Sequence, residues 1–587
     1  MKNRNILISI VFCLSCLAGG RAEVFFAADT VNVPQQEVAA ADSTVNEKKQ
    51  LHEERKADRK EAIKNESEHI KTEIKDAATE LEESVKEELQ NKKEAIKESF
   101  SRTKANLTEW FNENIAANTV GEFAEIQRQN NQAFCDYIRS PWEDYTLEIR
   151  ERNQMEEGMF FTGKSPKNGT DSVLVVQVVS VIEPLKHILP PVPENYYEGA
   201  GTEAVSNLVS KQQFAAFKFY GQDIKVYYNP TIRNINLGKG LEKGVAKVWQ
   251  YLSDQEFDPV LFQLYQYKEE LGLNDYQYYL LTRQFADLVF NKAKKGENLI
   301  FTVFLLNQTG YDARIAQFQG EGGSQLAVLL PFFEEVAYTP YLRIGNNSYY
   351  LMDIMPGKKL AQSSVKVYNK AHANATHPIS IRNEPQNAKI APIYGKFQGY
   401  TFDERMAQMQ TELPAGPMEL YADADFSDLM NKTFLYKLLP ETDSMVSKRQ
   451  DANLKDRLSE REIQEIKIIN VSQFLNRALS SQTKQSARLG TRHLYPETMF
   501  FKRGSGDILD RSILLCHISN RILKIPAILV VYPNFAMAAV CLADGESSPE
   551  SPFYMGDYVE WNGKKYYLCG KLPKAVKEPG AALIYRW

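Results

Sequence analysis

Six cysteines occur in the 587-residue chain, and four of them, Cys135, Cys516, Cys541 and Cys569, lie beyond its first 22 residues. A cysteine acts as a nucleophile or metal ligand through its thiolate, and it needs a base or a positive field nearby to reach that form. Cys516-His517 is the one place where a thiol and an imidazole are adjacent, inside an apolar stretch with helical periodicity (509–523). Neighbouring helical residues point in different directions, so these two do not make a nucleophile and its base, and Cys516 reads as a core residue. His372 and His377, with Asn374 between them, read as a loop, and no metal site or cofactor is expected. Residues 136–515 contain no cysteine, so thiol chemistry is excluded from most of the chain. Four cysteines in more than 500 residues do not form a disulfide scaffold. Carboxylates total 75, too many for any one pair to mark a glycosidase. No P-loop, glycine-rich dinucleotide fingerprint or exposed-serine elbow is present.

The elements that would position such groups fall into two similar blocks. In 210–355, alternation at 217–220 and 224–227 predicts strands. Helical periodicity follows over 241–252, 259–271, 276–290 and 299–308, then strands over 312–318, 325–330 and 341–352. The block 481–587 repeats that order: a helix over 509–523, then strands over 527–532, 536–542, 558–561 and 565–569. Asn562-Gly563 marks a tight hairpin between the last two. The hairpin running from Tyr341 through Gly345 to Tyr349-Tyr350 matches the one running from Tyr558 through Gly563 to Tyr566-Tyr567. One helix-plus-sheet unit is therefore used twice. Between the blocks, 356–480 is expected to be a β-rich middle domain, with a helix over 458–479.

Upstream, 45–150 reads as helical. From Ser43 to Ile115 glycine and proline are almost absent, and Ile63, Ile74, Val85, Ile96 and Leu107 repeat every eleven residues. Eleven residues make three helical turns, so the stripe stays on one face of a nearly straight helix. Such a narrow stripe either docks on the body, on a protein partner or on a second copy, or the helix stands in water as a charged stalk. A second helix is expected from Glu122 to about Tyr145. Residues 151–209 form a strand (173–182) and a linker containing Pro190, Pro191 and Pro193.

The C-terminal block carries a resemblance. Gly506-Asp507-Ile508-Leu509-Asp510-Arg511-Ser512, then Tyr532-Pro533-Asn534-Phe535, then Tyr566-Tyr567-Leu568-Cys569-Gly570 resemble the transglutaminase-like family of papain-type enzymes. In that family a cysteine opens the helix, a histidine follows the Tyr-Pro pair, and an aspartate follows the paired tyrosines. The resemblance puts Ile508 at the nucleophile, Phe535 at the base and Gly570 at the orienting acid. None of the three can perform its step, while Asp510, Arg511, Ser512, Pro533 and Tyr567 keep the frame. With Phe535 opposite Gly570, Cys541 would fall near Lys564, about five strand residues or roughly 16 Å from Cys569, beyond bridging reach. From about residue 210 the chain also resembles exported bacterial proteins that end in this domain, through 271–280 and 304–312.

Lys2 and Arg4 precede an apolar run, 6–17, and small residues end at Ala22, which reads as a signal peptide over 1–22 followed by a disordered linker over 23–44. Cys16 is a candidate lipid anchor, although Cys13-Leu14-Ser15 departs from the usual lipid-attachment pattern. The run is too short to span a bilayer, and no other segment is long and apolar enough. Seventy basic against 75 acidic residues, a net charge of −5, point away from nucleic acid. The expectation is an exported α+β protein, periplasmic or associated with the outer membrane. It has a long N-terminal helix and two degenerate transglutaminase-like units flanking the β-rich middle. Its expected role is non-catalytic binding or scaffolding. The alternatives are a transglutaminase-like protease or acyltransferase with displaced catalytic residues, and a self-assembling structural protein.

Overall fold

The computed structural model describes residues 120–150, 159–160, 173–174, 176–178, 213–238, 240–290, 296–320, 323–352, 364–382, 391–417, 420–421, 426–452, 458–479, 494–531, 536–571 and 582–586. The expected signal segment, the linker 23–44, the eleven-residue-repeat helix, the prolines at 190–193 and Phe535 lie outside them. The fold is mixed helix and sheet.

Helix α1 (Val120–Ile138) buries Phe123, Gln127, Asn131, Phe134, Cys135 and Ile138, spaced to share one face. It ends earlier than the sequence suggested. Pro141 cannot continue a helix and restricts the residue before it, and the Trp142 indole closes the end by donating to the Ile138 carbonyl at 3.1 Å. Residues expected to be helical up to Tyr145 are instead strands β1 (Glu143–Thr146) and β2 (Glu148–Ile149). Short segments β3 (Met159–Phe160), β4 (Val173–Leu174) and β5 (Val176–Val178) follow, then the hairpin β6 (Phe214–Phe219) and β7 (Gln222–Tyr227).

The first block is close to expectation. Helices α2 (Leu241–Ser253), α3 (Asp258–Leu271), α4 (Asp275–Phe290) and α5 (Glu297–Gln308) precede β8 (Arg314–Gly320), β9 (Gly323–Pro331), β10 (Pro340–Ile344), β11 (Asn347–Leu351) and β12 (Ser364–Val367). Between 356 and 480 the β-rich expectation fails. There β12 belongs to the first sheet, and β13 (Tyr394–Phe397) and β14 (Tyr400–Asp403) form only a hairpin. The rest of what is described there is mainly α6 (Glu404–Glu412), α7 (Asp428–Ala452) and α8 (Glu460–Ala478). Local capping favours α6, where the Asp403 carboxylate accepts from the Arg405 and Met406 amides, while α8, with its Ser459–Glu462 capping box, is the helix expected over 458–479. The last block runs α9 (Pro496–Phe501), α10 (Ile508–His517) with a π-helical continuation (Ile518–Leu523), β15 (Ala527–Val531), β16 (Ala536–Val540), β17 (Tyr558–Trp561), β18 (Lys564–Leu568), β19 (Gly570–Lys571) and β20 (Ala582–Arg586).

Each block builds one sheet, in the orders β1-β12-β8-β9-β11-β10-β2 and β4-β17-β18-β16-β15-β20-β5. The two ends of each order are adjacent pieces of the same stretch of chain, so both sheets close on themselves as six-stranded barrels. The interiors follow from the two-residue alternation of strands. Ala316, Leu329, Leu342, Tyr349, Leu351 and Leu147 fill the first, and Ile528, Val530, Met537, Ala539, Val559 and Leu568 fill the second. The alternate residues, such as Val328, Leu330, Leu529 and Ala538, face the helices in one continuous core. The two matching hairpins pair Tyr341 with Tyr350 and Tyr558 with Tyr567, ring centroids 5.3 and 5.7 Å apart, on that helix-facing side.

Candidate functional site

Helix α10 begins at the position where the resemblance expects a nucleophile. Asp507 and Asp510 cap it reciprocally, the Asp510 amide donating to Asp507 at 2.8 Å and the Asp507 amide to Asp510 at 3.0 Å. Asp510 also accepts from the Leu494 amide at 2.9 Å, and Arg511 reaches Asn476 of α8 at 2.9 Å. Ser512 donates back to the Ile508 carbonyl at 2.7 Å. The frame residues therefore anchor this helix end to its neighbours. Ile508 is the first residue of α10 and is 2% exposed within the core.

Gly570 opens β19 and pairs with Phe160 of β3. The register of β16 on β18 sets Ala539 against Leu568 and Val540 against Tyr567, and the Cys569 amide donates to Ala538. Continued by one residue, that register brings Met537 opposite Gly570, two residues from the position expected for Phe535. Cys541 then falls opposite Tyr566. It packs toward the barrel interior while Cys569 faces the helices, so strand alternation keeps the two thiols apart. Neither forms a disulfide. Tyr567 keeps a structural part: its hydroxyl accepts from Arg461 at 3.1 Å, with the guanidinium 4.4 Å from the ring centre.

The thiols and imidazoles are held in their neutral forms. Cys516 donates to the Ile528 carbonyl at 3.2 Å, and burial pushes its thiol well up. Burial likewise raises Cys569 and Cys541, and Cys135 to about 12. His517 turns to the other side of α10, where its ring lies 3.8 Å from Phe426 and its Nε2 is 3.3 Å from Asn431. Burial lowers it to about 3. Cys516 and His517 thus address different elements, as their adjacency on a helix requires. His377 lies in the loop, with its Nδ1 2.8 Å from the Thr376 hydroxyl. Among the described residues no group of three or more His, Cys, Asp or Glu is arranged to hold a metal ion, and no helix is long and apolar enough to cross a membrane.

His372 is not a loop histidine in the solvated sense, and the sequence reading missed its part. It is 1% exposed, and its Nε2 meets Asn131 Oδ1 of α1 at 3.2 Å. The same oxygen accepts from Trp249 at 3.1 Å and Gln308 at 3.0 Å, so one amide joins α1, α2, α5 and the 372 loop. Asn131 and Gln308, polar residues inside otherwise apolar helical faces, were the available signal. A second buried network joins Arg314 to Asp312 through two 3.0 Å contacts and to the Tyr349 hydroxyl at 2.6 Å. No family model, curated protein or solved structure matches the chain.

Proposed function

We propose that this is an exported, non-catalytic binding or scaffolding protein of the bacterial envelope, built on a transglutaminase-like frame whose catalytic positions are Ile508, Phe535 and Gly570. The observation that carries the reading lies at the start of α10. The helix keeps the caps and anchors that would hold a nucleophile in place, yet its first residue is a buried isoleucine. A helix N-terminus activates a cysteine because its dipole stabilises a thiolate, and an aliphatic side chain in that place has no proton to lose. The remaining described thiols do not substitute, because desolvation opposes the thiolate in each. The eleven-residue apolar repeat upstream, outside the described residues, would supply the second half of the role by meeting a protein partner or another copy.

The purified full chain is to be assayed for peptide hydrolysis and for acyl transfer to amine donors, before and after thiol alkylation. No thiol-dependent turnover is expected. Ile508→Cys alone should also be inactive, because members of a triad act as a unit. Turnover abolished by alkylation of Cys516, Cys541 or Cys569 would overturn the reading and favour a cysteine enzyme with displaced residues.

A further inference from the structure

The hairpin of β6 and β7 is a two-stranded sheet whose edges differ. Along β7, the backbone groups that point away from β6 are taken by side chains of α3. Tyr227 donates to Gln263 at 2.8 Å and accepts from it at 2.9 Å. Lys225 donates to the Tyr267 hydroxyl at 3.2 Å and accepts from it at 3.1 Å. Residues directly opposite in an antiparallel pair turn their backbone groups the same way, both inward or both outward. Phe214, Ala216 and Lys218 stand opposite Tyr227, Lys225 and Asp223, so their N–H and C=O groups point out of the free edge of β6. Among the described residues, the hydrogen bond made along that edge is from Gln284 of α4 to the Lys218 carbonyl, at 3.3 Å. The side chains of Phe214, Ala216 and Lys218 are exposed, Phe214 to 39%.

An open edge is a template for another strand, and this one is already held in shape. Ala215 and Phe219 are buried on the opposite face, and the Tyr220 hydroxyl at the hairpin tip donates to Glu412 of α6. A strand fixed in this way loses little freedom on pairing. The sequence of the edge also matches itself. Laid antiparallel on its own copy about Ala216, β6 sets Ala216 against Ala216 and Phe214 against Lys218. Two methyl groups let the backbones approach, and an ammonium meets an aromatic ring, as Lys225 meets Phe214 within the chain at 3.9 Å. Lysine on an edge strand ordinarily repels a second strand, but in this register it faces a ring and not another lysine.

We propose that β6 is a dimerisation edge: two copies of this chain pair their β6 strands antiparallel, across a two-fold axis at Ala216, and join their hairpins into one four-stranded sheet. The contact is isologous, each copy offering the same edge. The proposal goes beyond the binding role by naming the partner, and it uses neither the start of α10 nor the eleven-residue repeat. So short a strand makes a small interface, and the dimer should be weak, with a Kd of about 100 μM.

The test is sedimentation equilibrium of the full chain up to about 500 μM, a concentration at which such a dimer predominates. Ala216→Pro removes an outward N–H and leaves the bonds between β6 and β7 in place, and it should weaken dimerisation at least about tenfold. Ala216→Cys should form a disulfide-linked dimer under mild oxidation, because Cα atoms in a hydrogen-bonded pair lie about 5.5 Å apart, within bridging range. Wild type is its control, since Cys135, Cys516 and Cys569 are buried and Cys541 is half-buried. Dimerisation should survive the paired changes Ile74→Asp and Val85→Asp. A wild type that stays monomeric, a dimer indifferent to Ala216→Pro, or no cross-link through Ala216→Cys would overturn the proposal. The cysteine variant decides the matter even where the proline variant fails to fold. A dimer lost with Ile74→Asp and Val85→Asp but kept with Ala216→Pro would overturn the β6 pairing and leave the binding reading standing.

Discussion

His372 should make this fold sensitive to mild acid, and replacing it with glutamine should remove a definable part of that sensitivity. Its Nδ1 accepts from the Asn374 amide at 3.1 Å, so the proton of the neutral ring sits on Nε2 and points at Asn131. A second proton would have to enter between Nδ1 and an N–H, with Phe134 and Trp249 packed on the ring at 5.1 and 6.0 Å. Burial accordingly lowers the imidazole from 6.5 to about 4. A histidine whose folded pKa lies below its unfolded one binds more protons when unfolded. Its contribution is therefore complete above 6.5 and is lost as pH falls from 6.5 toward 4. Integrated over that window, the loss between about pH 7 and about pH 5 is about 2 kcal/mol. His517, lowered to about 3, acts with the same sign. Glu334, Glu465 and Glu497, raised by burial, act with the opposite sign, since what they contribute declines as pH rises through and above the ordinary carboxylate range. The raw stability curve mixes all of these, and only wild type minus His372→Gln isolates the ring. Urea unfolding of both proteins at several pH values, followed by intrinsic fluorescence at constant m-value, gives that difference. The variant starts lower at neutral pH and should fall less steeply, by about 2 kcal/mol, on going to about pH 5. Parallel curves, or an imidazole resonance of His372 titrating near 6.5, would refute the argument.

Three further outcomes are expected. In the native protein a thiol-reactive dye should label Cys541 ahead of Cys135, Cys516 and Cys569, which are fully buried, and all four should react in denaturant; early labelling of Cys516 would contradict its burial. Arg314→Met should cost about 3–5 kcal/mol in chemical denaturation, because Asp312 and the Tyr349 hydroxyl lose the guanidinium between them, and Arg314→Met with Asp312→Asn should recover part of it. Changing both Ile74 and Val85 to Asp should weaken association or docking through the eleven-residue stripe, read by sedimentation and far-UV dichroism; unchanged values would show that the stripe contributes nothing.

Elements with strong local signals were legible in the sequence. The Asn562-Gly563 turn fixes its hairpin because both residues adopt positive φ, and the pairing of Tyr558 with Tyr567 follows from it. Helices α2 to α5 were readable within a few residues from apolar spacing. The middle block was misread around 404–412 and 428–452 because apolar runs without a clear period fit helix or strand, and the cap at Asp403 settles the matter only together with the residues after it; the helix that begins after Ser459 was expected. The register of β16 on β18 was inferred two residues out, since a motif order fixes which strands pair but not the residue at which they meet. Least legible was 143–149. Glu143–Thr146 and Glu148–Ile149 are too short to announce a strand, and β1 pairs with β12, more than two hundred residues downstream.

Short segments complete both barrels, and a parity argument explains how. In each block five strands alternate in direction, β12-β8-β9-β11-β10 and β20-β15-β16-β18-β17, with every neighbouring pair antiparallel. An odd number of alternating strands leaves its two edges pointing the same way. A sixth strand between them must then be antiparallel to both or parallel to both, with no mixed solution. The first barrel takes the antiparallel choice with β1 and β2, and the second takes the parallel choice with β4 and β5. Either choice removes two open edges that would otherwise invite pairing with another chain. Residues 143–149 therefore close one unit in one direction, and 173–174 with 176–178 close its counterpart in the other. The two blocks share a five-strand pattern, and each becomes a closed body through short segments that precede both in the chain.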